Sequence, residues 1–97
     1  MSEFRVPAEG EILGKVLELL GDNRVKVVCQ DGEVRVARIP GRYRKRLWLK
    51  PGDYVIVAVW DFDPKKGDVV HKYEKRDLDE LRRRGYAEVI DNLEKLG

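Results

Sequence analysis

Residues 54–60, Tyr-Val-Ile-Val-Ala-Val-Trp, form a nearly unbroken apolar strand. A strand solvated on one face alternates polar with apolar, and this one does not, so both of its faces must be covered. It belongs at the centre of a closed or doubly covered sheet. Five strand signals fit such a sheet. Glu11 to Leu20 is the first, expected to break or bulge at Gly14, where no side chain packs. Gly21-Asp22-Asn23 is turn chemistry, after which Arg24 to Cys29 puts Val25, Val27 and Cys29 on one face. Asp31-Gly32 is a two-residue hairpin signal. Val34 and Val36 then alternate with Glu33 and Arg35 in a third strand. Pro51-Gly52-Asp53 turns the chain into the apolar strand, Asp61–Gly67 reads as a charged loop, and Asp68–Glu74 is the fifth strand.

Five strands with a long connection between the third and fourth match a small Greek-key barrel of the oligonucleotide-binding (OB-fold) type. Closure removes the edges that an open sheet this small would expose. The inward set is expected to be Val25, Val27, Val34, Val36, Val55, Val57 and Val59. After the barrel the period changes. Asp77 caps a helix with Glu80 three residues on, Arg82-Arg83-Arg84 fall in its last turn, and Gly85 ends it. Tyr86, Val89, Ile90, Leu93 and Leu96 then recur at helical spacing. The division expected is a loose arm over residues 1–10, the barrel over 11–75, and a helical extension over 76–97 packed on it. At 97 residues this is one small domain.

The connection between the third and fourth strands carries the charge. Arg38 to Lys50 holds six basic residues (Arg38, Arg42, Arg44, Lys45, Arg46, Lys50) and no acid. The chain's 20 basic and 18 acidic residues net +2, so this stretch is +6 and the remainder −4. Charge of one sign in one place draws a polyanion. Tyr43 and Trp48 stand among the cations. Cations neutralise phosphates while flat rings stack on unpaired bases, so the mixture suits RNA. The plainer reading is a solvated loop with Trp48 turned into the core, and the residues alone leave Trp48 open between core and ligand face.

The residues of catalysis do not converge. His71 is the only histidine and sits in strand register with Val69 and Tyr73, as a structural or stacking group. Cys29 is the only cysteine, in phase with Val25 and Val27, so neither an internal disulfide nor a cysteine-rich metal site forms. Gly10-Glu11-Ile12-Leu13-Gly14 lacks the lysine and hydroxyl of a phosphate loop. No enzyme, metal or cofactor is expected. The longest unbroken apolar run, Val55 to Trp60, is far short of a membrane span, and Met1-Ser2-Glu3-Phe4-Arg5 does not begin a signal peptide. A cytoplasmic monomer is the expectation.

The run Ile39-Pro40-Gly41-Arg42-Tyr43-Arg44-Lys45-Arg46-Leu47-Trp48-Leu49 resembles the signature of the translation initiation factor 1A family. In that signature an isoleucine, a residue and a glycine precede alternating basic residues. A three-basic run and an aliphatic–tryptophan–aliphatic triplet follow. Asp31-Gly32, Pro51-Gly52-Asp53-Tyr54-Val55 and Asp68-Val69-Val70-His71-Lys72-Tyr73 are similar to the family as well, so the resemblance covers about three quarters of the chain, Gly14 to Tyr86. It implies a barrel that binds small-subunit rRNA at the decoding (A) site, helps initiator tRNA and mRNA to bind, and works with other initiation factors. It further implies that Arg42, Arg44, Lys45, Arg46 and Trp48 touch rRNA. Tyr43 stands where a nonaromatic residue is common in the family, so its role rests on the stacking argument. About nine residues precede the barrel and the C-terminus reads as a helix, which resembles compact archaeal members.

Two rivals remain. A general single-strand binder of the cold-shock kind reads bases from aromatics on adjacent strands, and Arg24–Cys29 and Glu33–Ala37 contain none. A protein-interaction module acting through the C-terminal helix would leave the basic loop as solubilising charge.

Overall fold

The computed structural model describes residues 4–41 and 48–96. Strands β1 (Glu11–Gly21), β2 (Arg24–Cys29), β3 (Val34–Arg38), β4 (Tyr54–Trp60) and β5 (Asp63–Lys72) close into a barrel in the order β1-β2-β3-β5-β4. All neighbours are antiparallel except β3 and β5, which pair in parallel from Val36↔Lys66 to Arg38↔Asp68. The closed five-stranded barrel with a C-terminal helical segment is the fold that the sequence predicts. Long β1 makes closure possible, since Glu11 to Lys15 pair with β4 while Gly14 to Gly21 pair with β2.

The apolar run of β4 is covered on both faces, as its lack of alternation requires. Val55 and Val57 point into the barrel with Val16, Val25, Val27, Cys29, Ala37 and Val69. Tyr54 and Ile56 point outward into a second cluster with Leu13, Val28, Tyr73, Leu81, Ile90 and Leu93. Helices α1 (Lys75–Leu81) and α2 (Ala87–Leu96) supply the cover. The wide turn Arg82–Tyr86 joins them and reverses at Gly85, whose φ of 102° suits a residue without a Cβ. No helix among the described residues is long and apolar enough to cross a membrane.

The inward set differs from expectation in β3. Val34 is 50% exposed and Val36 only half-buried, while Arg35 and Ala37 are the buried pair. The hairpin loop is the cause. A two-residue Asp31-Gly32 turn would set Val27 opposite Val36. Instead the Cys29 amide donates to the Glu33 carbonyl at 2.9 Å, so Gln30, Asp31 and Gly32 form a three-residue loop and Val27 faces Arg35. One residue of slip exchanges the faces of the whole strand. Arg35 tolerates its burial because every charged nitrogen finds an acceptor. Its Nη1 and Nη2 donate to the Asp31 carboxylate at 3.0 and 2.8 Å, and its Nε donates to the Pro64 carbonyl at 2.7 Å. Val59 is half-buried and not fully inward.

The charged stretch before Asp68 is strand and not loop. β5 begins at Asp63, leaving a turn of only Asp61 and Phe62. Lys65 and Lys66 are both exposed. Gly67 after them is a close-approach position: a Cβ there would stand 2.5 Å from Val57 Cγ1. Gly14 is the same case against Val27 Cγ1 at 2.4 Å, and the irregularities of β1 fall after Val16 and after Leu19. α1 starts earlier than an Asp77 cap allows. Asp77 is its third helical residue, and its carboxylate accepts from the Glu74 amide at 2.8 Å. From Phe4 onward the arm is tied down and not loose: Phe4 and Val6 pack against the outer cluster, and the Tyr73 hydroxyl donates to the Arg5 carbonyl.

Candidate nucleic-acid interface

Arg42, Tyr43, Arg44, Lys45 and Arg46 lie outside the described residues. The barrel fixes the chain on both sides of them. Ile39 before the segment and Leu49 after it pack against the inner cluster. The Ile39 amide donates to the Asn23 carbonyl at 2.7 Å. On the far side the Lys50 amide donates to Asp53 Oδ2 at 3.0 Å, and the Asp53 amide donates back to the Lys50 carbonyl at 3.1 Å. The described ends of the connection from β3 to β4 are thus each anchored on the barrel by an apolar side chain.

Three expected site residues are described. Trp48 is 80% exposed, which decides between its two readings: the ring is a surface group and not a core plug. Its backbone is held, because Lys72 Nζ donates to the Trp48 carbonyl at 2.9 Å while lying 3.7 Å from Asp53. Lys50 is exposed beside it. Arg38 stands on the other side of the segment. Its Nε donates to Asp68 Oδ1 at 3.2 Å, and its guanidinium lies 5.4 Å from the centre of the Trp60 ring.

Sequence reasoning missed the aromatic pair that this arginine covers. Trp60 stacks on Phe62 with centroids 5.2 Å apart and planes 25° from parallel, and Phe62 is 84% exposed. In the sequence Trp60 reads as the end of a buried strand and Phe62 as part of a loop. The signal available was a pair of aromatics two residues apart, flanking Asp61.

The groups with reactive potential are placed elsewhere. Cys29 is buried in the barrel, where burial pushes its thiol pKa up. His71 is half-buried, edge-on to Tyr73 at 4.8 Å; burial, followed by the charge of Arg5, lowers its pKa, and its Nε2 is buried without a hydrogen-bond partner. Among the described residues no group of three histidine, cysteine or acidic side chains converges as a metal site. The more exposed positions of β2 and β3 carry Arg24, Lys26, Val34, Val36 and Arg38, with no aromatic among them.

Comparison with known proteins adds to this geometry. The family described as "Translation initiation factor 1A / IF-1" matches residues 1–94. The chain is 72% identical over 94 residues to translation initiation factor 1A of Pyrobaculum aerophilum, covering 97% of this chain and 82% of that protein. It is 48% identical over 85 residues to the factor of Methanopyrus kandleri, covering 88% of this chain and 77% of that protein. The solution structure of translation initiation factor IF-1 from the Wolbachia endosymbiont of Brugia malayi superimposes with a TM-score of 0.53 at 24% identity, over 67% of this chain and 78% of that one, a likeness of fold. With the family match running through the barrel, the basic segment and most of the helical extension, and a relative 72% identical over 94 residues, the chain belongs to the translation initiation factor 1A / IF-1 family.

Proposed function

We propose that the protein is a noncatalytic initiation factor that binds rRNA of the small ribosomal subunit at the decoding site. There it promotes binding of initiator tRNA and mRNA in cooperation with other initiation factors. The observation that carries the RNA contact is the exposure of Trp48 on a backbone held at its carbonyl by Lys72, with Asp53 holding the Lys50 amide two residues on. An exposed indole with a fixed backbone is suited to stacking, since little freedom is lost when it does so. It follows a segment whose cations, Arg42, Arg44, Lys45 and Arg46, meet phosphates, with Arg38 and Lys50 at the rims and Tyr43 as a second ring. The cold-shock alternative finds no support in β2 and β3, which carry no aromatic. The interaction-module alternative loses its surface, because Leu81, Ile90 and Leu93 are already buried on the barrel.

The test is binding to purified small subunits by the intact chain and by a double charge reversal, Arg44→Glu with Lys45→Glu. Loss of binding with an unchanged melting temperature is expected. Binding equal to the parent would remove the basic segment from the RNA surface.

A further inference from the structure

We infer that the β4–β5 hairpin carries a second RNA contact, a stacking platform for one unpaired nucleobase built from Arg38, Trp60 and Phe62; this rests on the RNA-binding reading above. Three flat groups meet there, with Trp60 touched by both of the others. The Arg38 guanidinium covers Trp60 at 5.4 Å, and Phe62 lies nearly parallel to Trp60 at 5.2 Å. Phe62 is at the tip of a two-residue turn and is 84% exposed, so most of its ring is open to solvent. A phenyl ring kept in water loses the burial that would favour it, and here it is held by stacking in the orientation that a further planar group can extend.

A base fits that ring better than a phosphate or an aliphatic side chain. Every base presents a π-face, and a ring of fixed orientation accepts it without sequence preference. The acids around the hairpin argue for the same occupant. Asp68 pairs with Arg38 at 3.2 Å and Asp63 with Lys66 at 3.8 Å, while Asp61 is exposed beside Phe62. These carboxylates disfavour a phosphate at the tip while leaving the ring face available. The phosphates belong to the neighbouring segment, which begins at Arg38 itself. Arg38 therefore links the two surfaces: the chain that leaves the platform at Arg38 leads within four residues to the cations of positions 42–46.

The experiment compares Phe62→Ala, Phe62→Trp and Arg44→Ala in binding to purified small subunits across salt concentrations. Phe62 is exposed, so its removal leaves no cavity. Phe62→Ala is expected to weaken binding about tenfold with an unchanged salt slope, and Phe62→Trp to bind like the parent. If Phe62→Ala binds like the parent while Arg44→Ala is impaired, the platform is wrong and the RNA reading stands. If neither is impaired, both fall. A photoreactive benzophenone amino acid at position 62 identifies the occupant. Crosslinking to rRNA supports the platform; crosslinking to a ribosomal protein, or to nothing, overturns it.

Discussion

Lys72 reaches across from β5 to donate its ammonium to the backbone carbonyl of Trp48, 24 residues earlier, at 2.9 Å. The same ammonium lies 3.7 Å from Asp53, whose side chain also accepts from the Lys50 amide. Lys72 therefore holds the tryptophan's backbone, leaving the ring free to meet a ligand. Lys72→Met keeps the aliphatic stem and removes the charge. A partly buried charge-assisted hydrogen bond contributes on the order of 1.5–3 kcal/mol at most. The variant is therefore expected to melt somewhat lower, and to bind small subunits more weakly because Trp48 loses its fixed position. Titration of subunits with the variant checks this; unchanged affinity would show that the ring is positioned by other means.

Two variants separate stacking from charge. Trp48→Ala removes a ring that is 80% exposed, so its effect on stability is expected to stay within about 0.5 kcal/mol. Its effect on binding is expected at about 1–3 kcal/mol, with the salt slope intact. Arg44→Ala should behave in the opposite way. Each phosphate contact adds about −0.7 to −0.9 to the slope of log affinity against log salt. Four contacts give a slope of about −3, which Arg44→Ala flattens by about one unit. Melting curves and salt-dependent subunit binding on the two proteins read out both effects.

The barrel was legible because its strands announce themselves in pairs: alternating Val25 and Val27, then an apolar β4 that needs cover on both sides. What was not legible depended on a single residue of loop length. The Asp31-Gly32 dipeptide serves a two-residue hairpin or the end of a three-residue one equally well, and only pairing across the barrel selects the second. That choice buried Arg35 in place of Val34 and Val36. The start of β5 was hidden for another reason. Lys65 and Lys66 are both exposed and the first buried position of the strand is Gly67, a pattern with the composition of a loop. Of the proposed interface, the cations and Trp48 stood out in the sequence as composition. The Trp60–Phe62 stack was not, since an aromatic at the end of an apolar strand carries no mark of which way it faces.

His71 gives the folded protein a pH dependence of definite sign. Burial, then the Arg5 charge, lower its pKa below the ordinary 6.5, outweighing Asp77 and Glu11, which act to raise it. The folded state then binds fewer protons at this site than the unfolded chain, so stability falls as pH drops through and below about 6.5. The lowered carboxylates act in a separate window. Asp31, held down by hydrogen bonds from Arg35, and Glu94, held down by the Tyr54 hydroxyl and Lys15, contribute stability that is lost only at more acid pH. Thermal melts between about pH 7.5 and pH 5.5 are expected to show declining stability for the parent. The same melts on His71→Phe, which also removes an unpartnered buried nitrogen, should be flatter. A parent and variant with parallel profiles would assign the pH dependence to other groups.

The helices are part of the folding unit, and their removal should show it. Leu81 and Ile90 are fully buried and Leu93 is 1% exposed, all against Leu13, Val28, Tyr54, Ile56 and Tyr73. Tyr54 ties the arrangement further, since its hydroxyl donates to Glu94, which also pairs with Lys15 at 3.2 Å. Leu93→Ala is expected to lower stability by about 2–5 kcal/mol, a large share of the roughly 5–15 kcal/mol typical of a whole domain. Leu96 is 56% exposed on the same helix, and Leu96→Ala should remain within about 0.5 kcal/mol of the parent. Ending the chain after Lys75 strips the cover from the outer faces of β1, β2 and β4 together, and that protein should unfold or aggregate well below the parent's melting temperature. Denaturant titrations of the two leucine variants, with melts of the shortened chain, measure all three. A shortened chain that melts with the parent would mean the helices are not holding the barrel, and their apolar stripe would then be free for a partner.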